Sequence, residues 1–206
     1  MHLVEAMNAW ADATGDTRFT QVATEILELF ELHFSDAETG ALGEYFNDDW
    51  SPASGPRGEI VEPGHQFEWA WIIGHYGRIT GHTKHDLMRR LIGFAMKHGY
   101  DKKGGYTIDQ VGRDGRPISL NRRLWPQTET IKGCLAAREF LDENHDDIIG
   151  TVVETIFTRF VEPAPMRAGW IDHYNADWGS IVDKVPASSL YHVTLAFFET
   201  LRLRQQ

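Results

Sequence analysis

The 206-residue sequence predicts an all-helical fold, an α/α toroid, and three observations carry that reading. Seven segments space their apolar residues at the helical period. Alternate segments begin near residues 2, 63, 125 and 187, so a unit of about 61 residues recurs. The odd-numbered segments are apolar all round, as in Trp69-Ala70-Trp71-Ile72-Ile73, while their partners carry a single apolar stripe. Tandem hairpins of one buried and one half-buried helix build an inner ring inside an outer ring.

The first helix runs from about Leu3 to Ala13 and stops at Thr14-Gly15. It starts with its periodicity already under way, with no cap residue and no lead-in, which reads as the interior of a longer domain. The second covers about Asp16 to Phe34, with Phe19, Val22, Ile26, Leu27 and Phe30 on one stripe. A polar stretch from Ser35 to Glu62 follows, in which Gly43-Glu44-Tyr45-Phe46 fits a short strand. The third helix spans about Pro63 to Ile79, and the fourth about Lys84 to Lys97, ended by Gly99. After a second long loop come the fifth, about Leu124 to Leu141, and the sixth, about Asp146 to Phe160. A third loop, holding Gly169-Trp170-Ile171-Asp172-His173-Tyr174, leads to the seventh, about Ala187 to Leu203, with Pro186 where a missing N–H costs nothing.

If the helices alternate in direction, every inner helix begins at the same end. The long loops and the first inner turns then converge on one cavity. The repeat places His2, Glu5, His65, Glu68, Trp125, Glu129, Tyr191 and His192 there. His65 and Glu68 stand three apart, a spacing that lets their side chains meet. A carboxylate beside an imidazole fixes its tautomer and raises its basicity, which suits proton transfer near neutral pH. Trp125 offers a flat apolar face, and Glu129 lies one turn on. His33, His75, His82, His85, His98 and His145 fall on turns or surface-like segments and read as ordinary polar residues; His173, beside Asp172 in a loop at the active end, is left open. No HExxH or other local metal-ligand pattern is present, so no metal is expected.

The composition narrows the class further. A net charge of −10 without clustered Lys or Arg excludes nucleic-acid binding. No apolar run is long enough for a membrane span. Cys134 is the only cysteine, so neither an intrachain disulfide nor a cysteine zinc site can form. That usage suits a reducing cytoplasm.

The stretch Glu62-Pro63-Gly64-His65-Gln66-Phe67-Glu68-Trp69-Ala70-Trp71 resembles the signature of the N-acylglucosamine 2-epimerase family, which includes mannose isomerases and cellobiose 2-epimerases. Met1-His2-Leu3-Val4-Glu5-Ala6, Arg123-Leu124-Trp125-Pro126-Gln127-Thr128-Glu129 and Gly169-Trp170-Ile171-Asp172 with Pro186-Ala187-Ser188-Ser189-Leu190-Tyr191-His192 are similar to its other blocks, in order and spacing. The resemblance implies one domain over residues 1–206, the C-terminal portion of an (α/α)6 barrel with about seven of the usual twelve helices. It implies cofactor-free, metal-independent chemistry at C2 of a reducing mono- or disaccharide through an enediol(ate). His65 and His192 are then the acid/base catalysts, supported by Glu68 and Glu129. His2, Trp125, Trp69, Asp172 and Tyr191 are the substrate-binding candidates.

The wording of the signature is closest to the mannose-isomerase branch, so mannose–fructose interconversion is the leading expectation. N-acylglucosamine or cellobiose 2-epimerisation and a non-catalytic carbohydrate-binding remnant are the alternatives. Glycoside hydrolysis needs two opposed carboxylates, whereas the paired candidates here are histidines. Seven helices cannot close a twelve-helix ring, so apolar flanks of inner helices are expected to face solvent, with a homodimer as one way to cover them.

Overall fold

The computed structural model describes residues 1–165 and 168–204. It contains helices α1 (His2–Thr14), α2 (Thr17–Leu29), α3 (Pro63–Thr80), α4 (His85–Phe94), α5 (Leu124–Leu141), α6 (Asp146–Thr155) and α7 (Ala187–Arg204). α3 packs between α1 and α5, and α5 between α3 and α7, while α2, α4 and α6 each back the helix before them. The expected two rows are therefore present. None of the described helices is long and apolar enough to cross a membrane.

The tight turns between hairpin partners have a common cause. α1 and α3 end at Gly15 and Gly81, both left-handed (φ 70° and 77°), and α5 ends at Asp142 with φ 59°. A left-handed residue reverses the chain at once and satisfies a terminal carbonyl, as Gly15 N–H does on Ala11 and Gly81 N–H on Gly77.

The outer helices end differently from the sequence expectation. Instead of running on as α-helix, each closes with a π-turn: Phe30–Phe34, Ala95–Gly99 and Ile156–Val161. The bonds Ser35 N–H to Phe30, Tyr100 N–H to Ala95 and Glu162 N–H to Phe157 each step back five residues. The same widened turn at the same place in three units is a feature of the repeat.

The all-helical expectation needs one correction, because the long loops carry short strands. These are β1 (Ile60–Val61), β2 (Tyr100–Asp101), β3 (Tyr106–Thr107), β4 (Gln110–Gly112), β5 (Pro117–Ser119), β6 (Arg122–Arg123) and β7 (His173–Tyr174). They pair antiparallel as β1-β4-β5, β2-β3 and β6-β7. Two or three residues are too few for an alternating pattern to register in sequence. Their role is positional, since β1 runs into α3 and β6 into α5, so the ladders fix where those helices begin. The strand expected at residues 43–46 is absent; Leu42 and Phe46 make only isolated bridges, to Ser35 and Pro52.

α3 and α5 are buried along nearly their whole length. Glycine lets them approach closely: a Cβ at Gly133 would stand 2.5 Å from Phe67 Cδ1, and one at Gly74 would stand 2.2 Å from Phe140 Cδ2. α1 and α7 are less enclosed. Leu3 and Trp10 on α1, and Leu190, Phe198 and Leu201 on α7, are exposed, as expected for inner-row helices without an outer neighbour on that side.

These contacts give opposite signs for one substitution at two sites. Gly133→Ala overpacks the α3–α5 seam and should cost about 1–3 kcal/mol. Gly150→Ala, in α6 with nothing within 4 Å of the new methyl, should stabilise by roughly 0.5–1 kcal/mol. Thermal melts should move in opposite directions, by about 2–4 °C per kcal/mol in a chain of this size.

Candidate active site

The first turns of α3, α5 and α7 meet at Trp125. Its ring centroid is 4.8 Å from that of His65 and 5.4 Å from that of His192. Gly64 permits this, because a Cβ there would fall 2.6 Å from the indole. Each histidine holds its own carboxylate: His65 Nδ1 lies 2.9 Å from Glu44 Oε2, and His192 Nδ1 lies 2.7 Å from Glu129 Oε1. An ionised carboxylate only accepts, so in the neutral rings both Nδ1 atoms carry the hydrogen and both Nε2 atoms do not.

One sequence expectation is corrected here. His65 does not pair with Glu68. Its ring turns outward from the first turn of α3 toward the preceding loop, to Glu44, with Glu62 Oε2 at 3.8 Å. Glu68, one turn deeper, faces inward, 3.7 Å from His2 Nδ1 and 4.0 Å from His192 Nδ1. Burial lowers the affinity of His65 for its proton, but the Glu44 bond and the charges of Glu44, Glu62 and Glu68 more than offset it, and its pKa is raised.

Glu68 and Glu129 are both fully buried, and between them stands Lys132, also fully buried. Its Nζ is 2.8 Å from Glu129 Oε2, off-line for a hydrogen bond, and 4.3 Å from the centroid of the Trp71 ring. Burial works against the ammonium, but the charges of Glu129 and Glu68 hold its pKa up. Neither oxygen of Glu68 has a hydrogen-bond partner. Burial, then the nearby charge of Glu129, pushes its carboxyl up to about 8 against the pull of Lys132 and His65.

The remaining expected residues fall into two groups. His2 and Tyr191 reach the site: Tyr191 O–H donates to Glu5 Oε1, its ring stands edge-on to His192 at 4.9 Å, and His2 Nδ1 is 3.4 Å from Glu5 Oε2. Trp69 is buried against Phe30 and lines a cavity of about 280 Å³ that it shares with His65 and Glu44. Asp172 is turned into the scaffold instead. Its Oδ1 accepts from Trp170 Nε1 (3.0 Å) and Ser189 Oγ (2.6 Å), and its carbonyl accepts from Leu124 N–H (2.9 Å), tying the start of α5 to the start of α7. His173 Nε2 meets Asp109 Oδ2 at 2.8 Å, and Asp109 and Glu62 both hold Arg123, next to Trp125. His75 is not a plain surface residue, since its Nε2 lies 3.3 Å from Glu199 Oε2.

Sequence reasoning missed Glu44 and Lys132. Glu44 sits in a loop with no periodicity to mark its direction. Lys132 stands three residues after Glu129 in a helix whose neighbours are all apolar or small, and that lone cation in a buried run was the available signal. Two sets, His2–Glu5–Glu68 and Glu68–Glu129–His192, bring one ligand atom each within 4.8 Å and are the groups here that could hold a metal ion. In the second, the Lys132 ammonium already supplies a positive charge.

The chain matches the N-acylglucosamine 2-epimerase (GlcNAc 2-epimerase) family over residues 1–196 and belongs to it. It is 34% identical over 205 residues to a protein of Rhizobium meliloti named mannose-6-phosphate isomerase, covering 97% of this chain and 53% of the relative. It is 30% identical over 156 residues to a D-mannose isomerase of Pseudomonas cannabina pv. alisalensis, covering 66% of this chain and 37% of the relative. In three dimensions it is similar to a cellobiose 2-epimerase from Bacillus thermoamylovorans, with a TM-score of 0.82 and 20% identity over 98% of this chain and 51% of that one. The chain thus spans about half the length of these relatives or less.

Glu68 supplies a pH signature. A carboxyl raised from 4.5 to about 8 keeps its proton in the folded state while the unfolded chain releases it. The native state then binds more protons than the unfolded one across that window, and stability falls as pH rises through it. Glu68→Gln, which cannot ionise, should gain in melting temperature on the wild type steadily from pH 5 to pH 8; parallel curves would contradict a protonated Glu68.

Proposed function

We propose that this chain is the catalytic wall of a partial (α/α)6 barrel that isomerises or epimerises a neutral reducing sugar at C2, with mannose–fructose interconversion as the leading reaction. The observation that carries the reading is the pair of imidazoles, His65 and His192, both beside Trp125 and each held through Nδ1 by a separate carboxylate. Proton transfer at carbon needs a base whose tautomer is fixed, and the Nδ1 contacts to Glu44 and Glu129 support that for both rings.

In the proposed sequence the sugar ring opens and one Nε2 takes the C2 proton, which leaves an enediol(ate). Return of the proton to C1, with the O2 hydroxyl proton passing to O1, gives the ketose, and one imidazole can serve the carbon transfers. Return to the opposite face of C2 gives the epimer and calls on the second imidazole. His2, Tyr191 and Trp125 hold the sugar, and Asp172 positions α5 and α7. A neutral substrate is favoured because Lys132 and Arg123, the cations beside the two histidines, are already matched by carboxylates.

One relative is named for mannose and the other for mannose 6-phosphate; since two histidines serve either outcome, 2-epimerisation of N-acylglucosamine or cellobiose is the second reading. The experiment is incubation with mannose in heavy water, following C2 deuteration and fructose by NMR. His65→Asn and His192→Asn should each lower exchange by at least ~10²-fold. A variant that keeps near-full rate removes that residue from its role. No exchange with mannose, glucose, N-acetylglucosamine or cellobiose leaves the non-catalytic reading.

Glu44→Gln gives a finer check on His65. It removes the charge that helps to raise the His65 pKa while leaving an accepting oxygen, so the acidic limb of the kcat/KM profile should move to lower pH. A limb that stays in place would show that His65 is not the base it reports.

A further inference from the structure

The three long loops contain the same turn, one per repeat. Asn47 N–H bonds to Ser51 C=O (2.8 Å), Gly112 N–H to Arg116 C=O (2.7 Å) and Asn175 N–H to Gly179 C=O (2.9 Å). Inside each, the fourth residue bonds back to the first: Trp50 to Asn47, Gly115 to Gly112 and Trp178 to Asn175. Bridges Phe46–Pro52, Val111–Pro117 and Tyr174–Ser180 close them in the same register. In each turn the fourth residue is left-handed, with φ of 66° at Trp50, 81° at Gly115 and 63° at Trp178.

Glycine is the residue this backbone favours, and the middle repeat uses it. A bulky side chain at positive φ is strained and persists only where something else holds it. For Trp178 the reason is packing. Its ring lies 5.3 Å from those of Tyr106 and Tyr174 and 6.1 Å from that of Phe160, with the Arg122 and Arg159 guanidinium groups over it at 4.4 and 5.2 Å.

Trp50 has no such enclosure. It is 44% exposed, with Phe34 edge-on at 5.2 Å and His33 at 6.0 Å. What it does line is the 280 Å³ cavity whose polar end is His65 with Glu44 and whose walls include Phe34, Phe46 and Trp69. An aromatic wall facing a few convergent polar groups is the make-up of a small-ligand site. The apolar C–H face of a pyranose is the part of a sugar that such a wall accepts.

We propose that Trp50 is a substrate-positioning residue, its indole forming the stacking wall of a subsite beside His65 that takes the part of an uncharged sugar remote from C1 and C2. The proposal rests on the sugar-binding reading of the site. Its distinguishing consequence is that the left-handed backbone favours glycine while the ligand favours tryptophan, so the two properties separate in one variant.

The test is Trp50→Gly, with Trp50→Phe as the conservative variant, in C2 exchange with mannose and in titration with methyl α-mannopyranoside, which binds but cannot open. The expected result is a melting temperature equal to or above wild type, a KM for mannose raised tenfold or more and kcat within threefold. Binding of the glycoside should weaken in parallel, and Trp50→Phe should recover part of both. An unchanged KM and unchanged glycoside binding overturn the subsite while leaving the exchange activity standing. A melting temperature that drops together with kcat also overturns it, by making Trp50 a structural residue. If the wild type binds the glycoside in a Trp50-dependent way but exchanges no C2 proton, the C2 chemistry fails and the subsite stands.

Discussion

Two buried carboxylates and one buried ammonium set the terms for the rest of this structure. Glu68 on α3 and Glu129 on α5 lose their water on folding, and the fully buried Lys132 brings a positive charge beside them. One cation cannot compensate two anions in a medium where each bare charge is costly. The imbalance raises the hold of Glu68 on its proton, and Glu129 is met by Nδ1 of His192 at 2.7 Å. The group that meets Glu129 is thus also the imidazole beside Trp125, so the packing of α3, α5 and α7 and the placement of His192 form one problem with one solution.

The close helix seam serves the same end. Glycines at 64 and 133 let Trp125 and Phe67 bed directly on the opposing helix, which places the His65 and His192 rings around one indole. The short ladders do for the helix starts what glycine does for the seam. β6 leads straight into α5, and Asp172, next to β7, binds both the first N–H of α5 and the Ser189 hydroxyl of α7. First-turn geometry is set by these ties and not by the helices alone.

Much of this could be read from the sequence because it is periodic. The seven helices, the repeat and the convergence of His65, His192, Trp125 and Glu129 follow from spacing, and spacing survives without coordinates. What escaped was aperiodic or directional. The partner of His65 lies 21 residues upstream in a loop, so the nearer Glu68 was paired with it on helical spacing alone. Lys132 was passed over because a lysine on a helix is ordinarily solvated. Asp172 was read from its motif as a sugar contact, whereas its Oδ1 accepts from Trp170 and Ser189. The π-turns and the shared left-handed turn depend on backbone angles that side-chain types barely encode, most of all where tryptophan replaces the expected glycine.

The arrangement makes one demand that does not depend on any substrate: in their neutral forms both His65 and His192 must carry hydrogen on Nδ1, leaving Nε2 without one. Nitrogen-15 NMR of protein labelled at histidine reads this directly, with His65→Asn and His192→Asn spectra assigning the signals. Two Nδ1–H rings at those positions are the expected result. An Nε2–H tautomer at either would show that the carboxylate does not hold that ring, and the paired acid/base design would fall with it.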